Sequence, residues 1–167
     1  MREAPARPAV TVAAVVERDG RYLVVEEETR AGRRLNQPAG HLESGESLAD
    51  GAVRETLEET GWRVKPAHLV GIYTWSAGDS GATFVRFAFA ASAEQHDAHR
   101  PLDDGIVQAL WLTYDELVAR RAEHRSPLVL RCIDDFLAGR RFELAALSHL
   151  IEPLEAELTD PARRHGG

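Results

Sequence analysis

The chain has 167 residues, 44% of them hydrophobic and 28% charged, which suits one domain with a proper core. Its formal net charge of -7 excludes general attraction to a nucleic-acid polymer and means that an anionic substrate needs a local cation to meet it. Nineteen arginines against one lysine are scattered and outnumbered by acids, so they indicate compositional bias and no polyanion-binding surface.

Residues 1–7 carry arginine and proline without an apolar run, and are expected to be a flexible end. The apolar stretch "VTVAAVV" is too short to span a bilayer, so the expectation is a cytoplasmic protein without membrane attachment. "AVTVAAVVE" and "RYLVVEEE" flank Asp19-Gly20, a strong hairpin signal, because that pair readily takes the positive φ angles of a tight turn. A polar stretch, "NQPAGHLESGES", then leads to "SLADGAVRETLEETG", which reads as a helix capped by Ser47, with Asp50 in the capping-box position and Gly61 as its stop.

"WRVKPAHLVGIYTW" and "GATFVRFAFAA" read as strands joined through "SAGDSG". "DAHRPLDDG" is loop-like, "IVQALWL" is a short strand, and Thr113 caps a helix in "TYDELVARRA". Pro127 opens "PLVLRCIDDFLAG", a helix with Gly139 as its stop, in which Cys132 is expected to be a buried structural thiol. "SHLIEPLEAEL" is expected to hold a last helix interrupted by Pro153, and residues 159–167 a flexible tail. This order of strands and helices predicts a single α/β domain over residues 8–158, an α/β/α sandwich around a mixed sheet.

On an ideal helix Glu55, Glu58 and Glu59 fall within an arc of roughly 100°, while Ala49, Ala52, Val53 and Thr56 take the opposite side. The acids are therefore expected to face away from the core. Like charges at these spacings destabilise a helix by a few tenths of a kcal/mol per pair, and no lysine is interleaved, so a positive partner is required. Magnesium, which takes hard oxygen ligands together with substrate phosphate, is the natural candidate, against the alternative of a solvated acidic face.

The spacing decides between these. Gly40, Glu46, Arg54, Glu55, Glu58, Glu59 and Gly61 stand in the pattern of the Nudix box, which seven fixed positions would match by accident in roughly one in 10⁵ chains of this size. Thr56 and Trp62 occupy two positions that are usually aliphatic. "VTVAAVVERDGRYLVVEEE", "LNQPAGHLESGESL", "FVRFAFA" and "RSPLVLRCIDDFLAG" extend the resemblance to the NudJ-type phosphatases of the Nudix family over most of residues 8 to 147.

The resemblance implies the Nudix fold and Mg²⁺-dependent hydrolysis of a phosphoanhydride bond, with Mn²⁺ as an alternative ion. Its substrates would be nucleoside tri- or diphosphates or a small pyrophosphate such as hydroxymethylpyrimidine pyrophosphate. It implies Glu55 and Glu59 as ligands of the principal ion with the Ala39 carbonyl, and Glu58 as ligand of a second ion or partner of the attacking water. Glu58 is taken as the base, with Glu55 second. Asp103 and Asp104 are candidate acids on a distant loop, although Gln108 stands where several relatives carry glutamate. Arg54 is expected to orient a box glutamate, and Gly40, Glu46 and Gly61 to shape the loop and helix.

Asn36 and Gln37 are expected to bind the base and Arg86 the phosphates. Tyr73 and Trp75 share one strand face, as core residues or as a stacking surface. The other readings are a Nudix enzyme for ADP-ribose or diadenosine polyphosphates, or a ligand-sensing module without chemistry. The proline or tyrosine that usually marks the first two is absent around Ser76 to Gly78, and sensing modules generally lose box acids that this chain keeps. A monomer or homodimer with a small phosphorylated substrate is the expected assembly.

Overall fold

The computed structural model describes residues 7–78 and 81–151. The expected flexible ends and most of the last predicted helix lie outside them, and residues 148–151 carry no helix. Strands β1 (Ala9–Arg18) and β2 (Arg21–Thr29) form the predicted hairpin, with Asp19 at φ 53° and Gly20 at φ 75°. Their registered pairing is confined to Glu17 with Tyr22 and Arg18 with Arg21, next to the turn.

Beyond that point the two strands part. β1 pairs antiparallel with β4 (Ala39–His41) and parallel with β6 (Ala82–His96), while β2 pairs with β3 (Gly32–Asn36) and β7 (Ile106–Thr113). β5 (Trp62–Ala77) lies antiparallel to β6 at the sheet edge, where Pro66 is tolerated beside register shifts. The mixed seven-stranded sheet thus includes two short strands, β3 and β4, that the polar sequence around "NQPAGH" concealed.

Helices cover both faces. α1 (Leu48–Thr60) lays Ala52 against Val12, Leu69 and Phe89, and the opposite parity along the same strands turns Val15, Val70, Ala88 and Ala90 toward α3 (Leu128–Leu137). The predicted α/β/α sandwich is therefore the observed fold. Cys132 is fully buried among these residues, and burial pushes its thiol up to about 11, so it is a packing residue. The helix expected in "TYDELVARRA" ends early: α2 spans Tyr114–Ala119 under a Thr113–Glu116 capping box and gives way to a 3-10 turn at Arg121–Glu123.

Candidate active site

The loop between β4 and α1 is fixed locally. The Glu43 N–H donates to Glu46 Oε1 at 2.7 Å, and Ser47 Oγ accepts the Asp50 N–H at 3.1 Å to cap the helix. About two turns on, the acids of α1 converge on Arg54. Its Nε and Nη2 fork onto Glu46 at 2.9 and 2.7 Å, while Nη1 reaches Glu55 Oε1 at 2.8 Å and Glu58 Oε2 at 3.0 Å. Nη2 also donates to the His41 carbonyl at 3.0 Å, which ties helix to strand. The guanidinium supplies part of the positive charge that the glutamate stripe requires, and its hydrogen bonds hold the Glu46 carboxyl below the usual range.

The acid stripe does not face away from the core as a whole, which corrects the helical-arc expectation. Glu55 and Glu59 are each only 8% exposed, because β4 and the connection at residues 97–105 close over that side of α1. A Cβ on Gly40 would fall 2.1 Å from Glu55 Oε1, so only glycine lets the strand and this carboxylate meet. Burial raises the Glu55 carboxyl, with Arg54 opposing. It pushes Glu59 up to about 8, against the Ala39 N–H, which donates to Glu59 Oε2 at 2.9 Å.

The connection into β7 brings a further acid. The Asp97 N–H donates to the Gly61 carbonyl at 2.9 Å and the Asp103 N–H to the Glu58 carbonyl at 3.1 Å, docking this segment on the end of α1. Ligand oxygens of Glu55, Glu58 and Asp103 then lie within 4.8 Å of one another. Neighbouring oxygens on an octahedral magnesium stand about 3 Å apart and opposed ones about 4.2 Å, so the three carboxylates would have to draw together to hold a hard cation of this size. Of the acids weighed on this loop, the structure brings Asp103 to the helix and leaves Asp104 exposed outside the group. Gln108 donates to Glu26 Oε2 at 3.0 Å on an exposed part of β7.

Beside β4 opens a cleft of about 240 Å³, lined by Ala39, Gly40 and His41 near the carboxylates and by Trp75, Phe84 and Leu128 at the other end. Arg86 lies in its wall at 7% exposure, with Asn36 Oδ1 3.4 Å from Nη1 and Gln37 Oε1 3.3 Å from the same nitrogen. Asn36 lines the cleft, whereas Gln37 is 1% exposed and spends its amide nitrogen on the Val129 carbonyl at 2.6 Å. Gln37 thus supports Arg86 and α3 and is turned away from any base. Of the two aromatic candidates, Tyr73 is core, its hydroxyl bonded to Asp135 at 2.9 Å, and Trp75 lines the cleft, stacked on Phe84 at 5.5 Å.

Sequence reasoning missed several cleft residues, among them Thr11, Glu27, Arg125, Ser126 and Leu128. The only available signal for Glu27 was its place as the second of three successive glutamates, 26–28, at the end of an apolar strand.

A helix-covered mixed sheet that gathers acids, an arginine clasp and a glycine turn at one end of a polar cleft has the architecture of a hydrolase. The chain belongs to the Nudix family: the NUDIX domain profile matches residues 5–132. It is 41% identical to phosphatase NudJ of Escherichia coli K12 over 138 residues, covering 83% of this chain and 89% of that protein. Phosphatase NudJ of Shigella boydii serotype 4 matches at the same identity and coverage. Among solved structures, a NUDIX hydrolase from Nitrosomonas europaea superposes with a TM-score of 0.84 at 49% identity, over 86% of this chain and 98% of its own.

Proposed function

We propose that this Nudix hydrolase cleaves a phosphoanhydride bond in nucleoside tri- or diphosphates, or in a small pyrophosphate such as hydroxymethylpyrimidine pyrophosphate, with the aid of magnesium or manganese. The observation that carries this is the convergence of Glu55, Glu58 and Asp103 within 4.8 Å, with the Glu55 carboxylate packed on Gly40 in the wall of the cleft. Similarity to the NudJ phosphatases supports the phosphate chemistry.

In this reading Glu55, Glu58 and Asp103 would hold the ion, and Glu59 orders β4 through the Ala39 N–H, which leaves its Oε1 as an atom that could join them. Bound there, such an ion would supply a water of lowered pKa and neutralise charge on the phosphate oxygens. Glu58, the most exposed of the three helix acids, accepts the proton as the water oxygen bonds to phosphorus and the anhydride P–O bond breaks, releasing the leaving phosphate. Arg54 keeps Glu55 and Glu58 aimed at the same point. Asn36 and Arg86 hold the organic part of the substrate or its nearest phosphate.

A panel of nucleoside di- and triphosphates, small pyrophosphates, ADP-ribose and diadenosine polyphosphates, with phosphate and pyrophosphate detected separately, tests the reading. Turnover of a tri-, di- or small pyrophosphate is expected, with kcat reduced about 10²- to 10⁴-fold in Glu58→Gln. No release from any compound with either ion, or ADP-ribose cleaved faster than every triphosphate, would overturn it.

A further inference from the structure

Three buried polar atoms in the wall of the cleft have no hydrogen-bond partner among the described residues: Glu27 Oε1, Arg86 Nε and Thr11 Oγ1. Leaving such an atom unpaired is costly, and here three of them belong to residues that line one space. The nearest cation to Glu27 Oε1, Arg125 Nε, stands at 3.8 Å, too far to hydrogen-bond it. Arg86 is 7% exposed and directs its terminal nitrogens at Asn36 and Gln37, while its Nε has no partner among the described residues.

The Trp75–Phe84 stack and Leu128 give the cleft an apolar face, beside a lining that also includes Asn36, His41, Arg125 and Ser126. At about 240 Å³ the space falls below the roughly 300–1,000 Å³ of pockets that take larger organic ligands, so it suits a single small ring. Such a ring meets an acceptor at Glu27 and donors at Arg86 and Thr11.

We propose that Glu27 is a specificity-determining residue, which selects substrates whose six-membered heterocycle carries an exocyclic amine over those with a carbonyl in its place. The proposal rests on the reading of the cleft as the substrate site. An amine gives the carboxylate an N–H and a neighbouring ring nitrogen accepts from a donor in the wall. In an oxo ring the only N–H is flanked by carbonyl oxygens, at least one of which is pressed against the carboxylate. A hydrogen bond to a charged group of this kind corresponds to about 10- to 100-fold in affinity.

The test uses cytidine and uridine 5′-monophosphates, which share sugar and phosphate and contain no anhydride bond to cleave. Calorimetric titration of the full chain with magnesium present is expected to show the cytidine compound bound at least 10-fold more tightly. In Glu27→Gln, whose amide can donate as well as accept, the ratio is expected to fall within about 2-fold. Equal binding by the wild type, no binding of either compound, or a ratio preserved in Glu27→Gln would overturn the proposal. Because this readout needs no turnover, a chain that binds with the expected preference yet hydrolyses nothing would sink the hydrolase mechanism alone.

Discussion

Glu59 is a carboxylic acid enclosed between α1 and β4, and its proton is the most consequential one at the site. Its folded pKa is about 8, above the ordinary 4.5, so between those values the native state binds a proton that the unfolded chain has released. The associated stability is complete below about pH 4.5 and declines as pH rises through about 8; Glu55, also raised, adds the same sign. Thermal melts in the presence of a chelator should therefore show a midpoint that falls between pH 5 and 8. Glu59→Gln should flatten that slope, and a slope unchanged in the variant would refute the assignment. At this scale the sequence was informative about position and silent about environment. The spacing put Glu55, Glu58 and Glu59 together, but their burial depends on a strand and a loop that local periodicity does not register. Arg54 was legible as a partner of one glutamate, and the structure gives it three.

α1 owes its position to what happens at its two ends. Gly61 stops it at φ 71°, and a Cβ there would stand 2.7 Å from the Asp97 carbonyl, the start of the segment that delivers Asp103. Gly61→Ala is expected to destabilise the protein by about 1–3 kcal/mol through backbone strain. It should also lower kcat at least 10-fold by displacing Asp103, while far-UV dichroism stays native-like. Urea unfolding beside steady-state kinetics separates the two effects, and full activity in a destabilised variant would disconnect this loop from the chemistry. Among the elements, α1, α3 and the long strands were readable because cap residues and apolar runs mark them. β3 and β4 were not, since five and three residues of largely polar sequence carry no periodic signal and owe their strand form to partners supplied from elsewhere.

At the scale of the whole molecule, the order of helices and strands was enough to predict three layers. It could not reveal that β1 runs parallel to β6, or that the hairpin strands separate, because pairing between distant segments leaves no local mark. Gln37 shows what joins the parts: at the end of β3, it bonds α3 through the Val129 carbonyl and accepts from Arg86 on β6. Gln37→Ala should cost about 1–3 kcal/mol, since it removes a buried hydrogen bond to α3 and weakens the hold on a buried guanidinium. At roughly 2–4 °C per kcal/mol, calorimetry should register a midpoint lowered by about 2–12 °C, and an unaltered midpoint would deny Gln37 that joining role. The forked hairpin carries one more implication. Thr11 belongs to the branch that β1 enters and Glu27 to the branch that β2 enters, so the Asp19-Gly20 turn sets the phase of both. Inserting one amino acid there would invert the inside-outside alternation of one branch relative to the other. Evolution can thus retune the chemistry of this wedge by exchanging side chains, but has little freedom to alter the count of residues at its apex.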